Sequence, residues 1–500
     1  MFRGLRWENM PVFLAFFVPL IARSVPEVLM GPNPTGFDTV AYYIPNVYDW
    51  MRSGVDPLKF LAEAPLFYCI LMLAKGLGFD IVLVLKVISP VLHGLLGCVI
   101  YVYACRGLGW SRWKSLSVSL FGTLYFAALR VSWDMLRLQL GLILLFISLT
   151  LFYSVVKLGT GKLYFLFSLS SSLTVLAHQL PAIILFSFSM VFVLSKLRLN
   201  RSSGAVRLTV SLVPSGLIFL LMLYSQGFSV FTSYPQWESS GYFSLFGFKS
   251  NLDMALDTVG FLVYCYLPLS VVALLGAYKL KVLELRIWVL LCLAFILLPL
   301  TSPGFKFTVF EYRWTLLLVY PLAFFAVSGL AEFKPSRLMF RRFLLYGFLI
   351  IALTSFVGYL SVGFMVKTPE DPILYFDTTK FNKYIYYMQS SMCQNTVSFK
   401  DLRDVDIALE WVKDRMDDRS CLITHTVFRG QAVLALNSKE IIHYGYEEPS
   451  VGLEEAFRQG YSKVYLIWWV AGEGWYGQPT ISAFTIVFQS GRIAIYLLNI

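Results

Sequence analysis

Apolar runs long enough for whole helices recur from residue 10 to about residue 365, separated by short polar breaks, and give way afterwards to short alternating segments. A helix needs roughly 20 apolar residues to cross the hydrocarbon core of a bilayer. On that measure the pattern predicts eleven spans, at about 10–30, 81–105, 115–131, 138–156, 162–178, 180–196, 208–225, 257–277, 286–302, 313–331 and 343–365. The run 65–79 (PLFYCILMLAKGLGF) is about 15 residues long, carries Lys75 and is short for a span, so it predicts a helix lying in the membrane interface. The loop before it, from residue 31, opens on the chain breakers Gly31, Pro32, Pro34 and Gly36. YYIPNVYDWMRSG (42–54) then predicts a short interfacial helix with aromatics on one side, ended by Gly54.

The last quarter has a different rhythm. Residues 403–416 (RDVDIALEWVKDRM) predict an amphipathic helix with Ile407, Trp411 and Val412 on one side. CLITHTV, EIIHYG, KVYLIWWV, FTIVF and IAIYLLNI predict strands, and LEEAFRQG (453–460) a helix stopped by Gly460. Alternating strands and helices predict a small α/β domain over 403–500, joined by a linker over 366–402 to a membrane domain over 1–365. The expected fold is a polytopic α-helical membrane protein of about 11 transmembrane helices with a small C-terminal α/β domain. No GxGxxG or GxxxxGK[ST] run offers a phosphate cradle.

Composition agrees: 57% of residues are hydrophobic and 14% charged, with a mean hydropathy of +0.67, where soluble proteins carry about 25% charged residues. The net charge of +11 is uneven, because residues 400–500 net −3 and residues 1–399 net +14. The basic excess therefore sits at membrane level and offers no basic soluble face to a nucleic acid. It alternates between connections: Arg3 and Arg6; Arg106, Arg112 and Lys114; Lys157 and Lys162; Lys196, Arg198, Arg201 and Arg207; Lys279, Lys281 and Arg286; Lys334, Arg337, Arg341 and Arg342. The positive-inside rule makes that set cytoplasmic, with the N-terminus inside and the C-terminal domain outside. The first span lacks a small-residue cleavage site, which predicts an uncleaved anchor. Seven cysteines include no CxxC pair; Cys393 and Cys421 both fall outside and are available to pair.

The polar residues predicted at the outer face are the candidates for chemistry. Asp38, in GPNPTGFDTVAYY, is either a general base in a pocket of low dielectric or a helix N-cap, and Tyr42 and Tyr43 follow it as candidate sugar or acceptor contacts. Asp134, between Arg130 and Arg137, is either a second acidic group at that site or one half of a local ion pair. Lys86, near the outer end of the second span, is either a lipid-phosphate ligand or a snorkelling side chain, and His93 two turns further reads as a packing residue. His178 is either a polar helix end or a weak substrate contact. Lys306 and Arg313, with Glu311 to orient the arginine, are either ligands of an anion such as phosphate or interface anchors, and Arg137 is a further candidate. The aromatic loop 226–256 reads as an interfacial belt or a carbohydrate platform.

Asp38 in the first outer loop, the Pro65–Leu66–Tyr68 interfacial segment, Lys86, Asp134 and the late EYRW loop together resemble the GT-C superfamily of membrane glycosyltransferases, closest to its protein O-mannosyltransferase and aminoarabinose-transferase branches. The resemblance spans roughly residues 10–365 and rests on the order and topology of the motifs. It implies transfer of a hexose or pentose from a polyprenyl-phosphate-linked donor to a glycan, lipid or protein acceptor, at the outer face of a membrane. Asp38 would be the catalytic acidic residue, Asp134 the second, and Lys86 the basic residue of the following span. The acidic pair usual in the family's first loop is here Asp38-Thr39, so no cofactor is certain and a divalent metal stays open. The tail's WWVAGEGWYG (468–477) lacks the aspartate of the WWDYG motif of the oligosaccharyltransferase branch. The main competing expectation is a transporter or flippase of a lipid-linked saccharide, and a third is a non-catalytic scaffold whose outer domain binds a partner; against the transporter, no repeat is evident and the candidates gather on one face.

Overall fold

A computed structural model of the protein describes residues 10–198, 202–225, 251–301, 311–332, 391–436, 440–445, 448–472 and 484–499. The expected span at 343–365, most of the 226–256 loop and Lys306 lie outside the described residues.

The chain is mostly helical and ends in a small sheet. Helix α1 (Met10–Leu29) leads into a continuous helical stretch made of a π-helical turn, Thr39–Tyr43, and α2 (Ile44–Ser53). Then come α3 (Pro57–Ala62), α4 (Leu66–Gly76), α5 (Ile81–Val102), α6 (Arg112–Leu124), α7 (Phe126–Asp134), α8 (Leu136–Leu158), α9 (Gly161–Ala177), α10 (Gln179–Arg198) and α11 (Ser202–Ser225). After them follow α12 (Asn251–Lys279), α13 (Leu283–Thr301), α14 (Glu311–Leu317) and α15 (Val319–Glu332). Six helices among the described residues are long and apolar enough to cross a membrane, or eight spans if each of two bent pairs counts as one. Helices α2 and α4 occupy the two segments expected at the interface, and Gly54 ends α2 with φ +79°. Helices α1 and α5 pack closely, with Gly97 against the Ala15 carbonyl where a Cβ would not fit.

The expected span at 115–131 is not straight. The segment 115–131 divides at Tyr125, whose backbone is extended, and α6 and α7 meet at 61°. The Thr123 hydroxyl donates back to the Ser119 carbonyl (2.8 Å), and the Thr123 carbonyl is taken by His93 Nε2 (3.0 Å). Gln139 Nε2 meets His93 Nδ1 at 2.8 Å, so both ring nitrogens have partners and His93 is structural, as its sequence context indicated. The bend turns α7 into the body of the protein, where all nine of its residues are buried.

The tail holds α16 (Leu402–Lys413), α17 (Thr426–Leu436), α18 (Pro449–Arg458) and the strands β1 (Ser420–Thr424), β2 (Ile441–His443), β3 (Lys463–Trp469), β4 (Thr485–Ser490) and β5 (Ile493–Asn499). The strand order is β2-β1-β3-β5-β4. β1 is parallel to both of its neighbours, whereas β5 runs antiparallel to β3 and β4. All five residues of β1 are buried, as in a central parallel strand. The expected strand CLITHTV stops at Thr424, and Thr426 and Val427 begin α17 instead. Cys393 and Cys421 are both free thiols buried in this domain's core, so the pairing left open by the sequence is not made. Residues 391–397, expected within the 366–402 linker, are largely buried and belong to this domain, with Cys393 and Val397 in its core.

Candidate functional site

Asp38 lies at the start of the π-helical turn. Pro45 supplies no N–H to bond back to the Ala41 carbonyl, and the helix widens through Thr39–Tyr43 before resuming as α2. The Asp38 carboxylate makes no capping hydrogen bond to this helix, which removes the N-cap reading. It faces Arg313 instead, at 3.9 Å, with side chains 17% and 16% exposed respectively.

Gly36 makes this placement possible. Its φ is +97°, and a Cβ there would collide with the Trp133 carbonyl and lie 2.9 Å from Asp134 Cβ. Only glycine lets the loop press onto the end of α7. Asp134 is 2% exposed and is paired with Arg130 one turn earlier on α7. It is the local ion pair that the sequence allowed, and it is buried, so losing either partner would leave an uncompensated charge. Burial first and Asp134 second push the Asp38 carboxyl up to about 6, while Arg313, Arg137 and Arg130 pull it down.

Arg137, at the start of α8, donates to the Glu63 carboxylate (2.8 Å) and to the Glu63 carbonyl. Its guanidinium lies 5.3 Å from the centre of the Tyr68 ring and 6.0 Å from that of Tyr43. Tyr43 is buried and donates its hydroxyl to the Asp134 carbonyl (3.1 Å), so it ties the π-turn to α7. Tyr42 is half-buried, with its ring 6.4 Å from that of Phe37. Ala64, beside Glu63, has φ +52°, a strained value for a residue with a Cβ, at the turn that presents Glu63 to Arg137.

The other candidates have different surroundings. Lys86 directs its ammonium to the Glu27 carbonyl (2.7 Å), the Glu27 carboxylate (3.3 Å) and the Asn33 carbonyl (2.9 Å), three acceptors for its three donors. Glu27 also accepts from Arg23 (2.7 Å) and from Thr35 Oγ1 (2.7 Å). Arg23, fully buried, in turn reaches the Ser132 carbonyl at 3.0 Å. His178 accepts from the Leu180 N–H (3.1 Å) and so caps the first turn of α10, while feeling the charges of Arg137 and Arg313.

The structure thus brings together Asp38, Asp134, Arg137 and Arg313, places Tyr43 and His178 at their margin, and gives Lys86 to a neighbouring cluster. Sequence reasoning missed Arg23, Glu27 and Glu63. The signal for the first two was present: two opposite charges at i, i+4 inside an apolar span mark a cluster facing the protein interior. Among the described residues, no three of His, Cys, Asp or Glu are grouped to hold a metal ion. Two carboxylates among three guanidinium groups, with Arg130 paired to Asp134 and Arg137 to Glu63, do not suit a divalent cation; with Arg313 beside Asp38 they suit an anion and a proton acceptor side by side. No protein-family model matches the chain, and a search of curated proteins finds no match.

Proposed function

We propose that the protein is a membrane glycosyltransferase that moves a sugar from a polyprenyl-phosphate-linked donor to an acceptor hydroxyl, with Asp38 as general base. The observation that carries this reading is the Asp38 carboxylate itself: partly buried, engaged in no helix cap, and 3.9 Å from Arg313 beside the buried Asp134–Arg130 pair. A lipid phosphate leaving the anomeric carbon needs no proton, only cationic stabilisation of the charge it carries away. Arg313 supplies that charge, with Arg137 behind it. The acceptor hydroxyl needs a base, and a carboxyl near 6 is ionised at neutral pH yet more basic than an ordinary aspartate. The acceptor proton passes to Asp38, the acceptor oxygen bonds to the anomeric carbon, and the bond to phosphate oxygen breaks, with inversion.

The resemblance to GT-C enzymes supports the same reading through the order of Asp38, the interfacial helix and Asp134. In this reading the chain spans the membrane eleven times, its N-terminus is cytoplasmic, and the Asp38 site and C-terminal domain face outward. The alternation of Lys and Arg between connections supports that orientation. The test is incubation of the purified protein in vesicles with labelled polyprenyl-phosphate sugars and a panel of acceptors. The reading expects label on an acceptor; translocation of the lipid without transfer would replace it with a flippase.

A further inference from the structure

The C-terminal domain meets the backbone of the Asp38 loop on both sides of Asp38, coming within two residues of it at Gly36 and at Val40. Upstream, the Gly36 N–H donates to the Gln394 carbonyl (3.1 Å), and Asn395 Nδ2 donates to the Pro34 carbonyl (3.2 Å). The same Gln394 carbonyl accepts from Trp133 Nε1 (3.1 Å), which also reaches the Met392 carbonyl (3.1 Å). One backbone oxygen therefore joins the segment before Asp38 to the residue before Asp134. Downstream, Gly430 on α17 lies against the Val40 backbone so closely that a Cβ would overlap the Val40 carbonyl. One residue earlier, Arg429 donates to Asp49 (2.5 Å) and to Asn46 Oδ1 (3.4 Å) on α2. Gln431 Nε2 bridges the two places by donating to Thr396 Oγ1 (3.0 Å) and Asn395 Oδ1 (3.4 Å).

We propose that the C-terminal domain is a positioning element of the Asp38 site, gripping the loop through residues 392–395 on one side and Arg429–Gly430 on the other. The inference rests on the role given to Asp38 above, but its geometry stands apart from any activity. A domain docked only for its own stability would need no contact at both flanks of one carboxylate, nor a glycine where α17 meets a π-turn. Such turns are wider and less stable than α-helix and persist where their surroundings hold them. Arg429–Asp49 is partly exposed and contributes little by itself; the close backbone approach at Gly430 and the bridge at Gln394 carry the grip.

Two readouts on the full-length protein test this. The first is amide hydrogen exchange in Gly430→Ala. We expect exchange over residues 39–47 to rise about tenfold while α8 is unchanged; unchanged exchange at 39–47 overturns the proposal. If Gly430→Ala does not fold, Arg429→Gln is read in the same way, with a smaller rise expected and no rise overturning the proposal.

The second readout is the pH profile of sugar transfer in Trp133→Phe, which keeps an aromatic side chain and loses the indole N–H donor. The charges that act on Asp38 are Asp134 and Arg130 on α7, Arg137 on α8 and Arg313 on α14. Loosening the loop admits water to the carboxyl, and the acid limb of kcat/KM moves down in pH. A structural role alone would lower the amount of active protein and leave the limb in place, and that outcome overturns the proposal. If the wild type transfers no sugar, the functional reading fails on its own and the exchange experiment alone decides this one.

Discussion

Glu27 and Asp38 are carboxylates on either side of the same glycine- and proline-rich turn, and they differ in how they are held. Glu27 is locked: Arg23 and Thr35 reach it at 2.7 Å each, and Lys86 at 3.3 Å. Asp38 meets Arg313 at 3.9 Å, the outer edge of an ion pair, and caps nothing. A carboxylate with its lone pairs satisfied by strong donors is an anchor; one partly desolvated and loosely paired is available to take a proton. The contrast separates a cluster that fixes the loop from a group that the loop presents.

Substitutions at the two carboxylates should therefore have opposite signatures. The largest effect expected is on transfer by Asp38→Asn, a loss of about a hundred- to ten-thousand-fold with the fold intact. Glu27→Gln should instead cost stability, about 3 kcal/mol by chemical denaturation, because fully buried Arg23 loses its partner; transfer per folded molecule should change far less. Equal loss of turnover per folded molecule in both variants would erase the distinction.

Arg313→Gln should lower kcat by roughly ten- to a hundredfold through loss of charge stabilisation. Because Arg313 depresses the Asp38 carboxyl, its removal should also move the acid limb of the pH profile upward. A fall in rate with a fixed limb would detach the arginine from Asp38.

A smaller effect concerns stability. The folded-state Asp38 carboxyl sits near 6, above its ordinary 3.8, so between those values the folded state holds more protons than the unfolded one. Stability is therefore lost as pH rises through that window, and Asp38→Asn should be more stable than wild type at pH 8 by about 1–3 kcal/mol, with little difference at pH 3.5. Thermal melts at the two pH values read this directly, and a variant no more stable at pH 8 would show that burial does not strain Asp38. The smallest effect on transfer is at Lys86: Lys86→Met should lower stability by about 1–3 kcal/mol, through the acceptors it leaves unsatisfied, and leave the donor KM unchanged, since its three donors serve the anchor. A large rise in KM would return Lys86 to the phosphate, as its sequence position suggested.

What was legible in the sequence follows from how local each signal is. Asp38 stood out because it follows a run of glycines and prolines, although the structure starts a helical stretch at that point, and Gly54 and Gly460 marked helix ends through backbone freedom alone. The short α4 was readable from its length. The break at Tyr125 was not, because the nearest breaker, Gly122, lies inside α6 and no proline follows; the Thr123 carbonyl at the break is taken by His93 from another helix. CLITHTV read as one β-branched run, and only its place in the sheet ends the strand at Thr424. The grip on the Asp38 loop was beyond reach, since it joins Pro34 and Gly36 to residues some 360 positions away. Arg23 and Glu27 were readable by their spacing but were passed over inside an apolar span.

The most direct test of the central claim is the pH dependence of kcat/KM for sugar transfer, in wild type and in Asp38→Asn. The account predicts a wild-type rate that falls below a midpoint near pH 6 and a residual Asp38→Asn rate without that limb. Full activity in Asp38→Asn, or the same acid limb in both proteins, would contradict it.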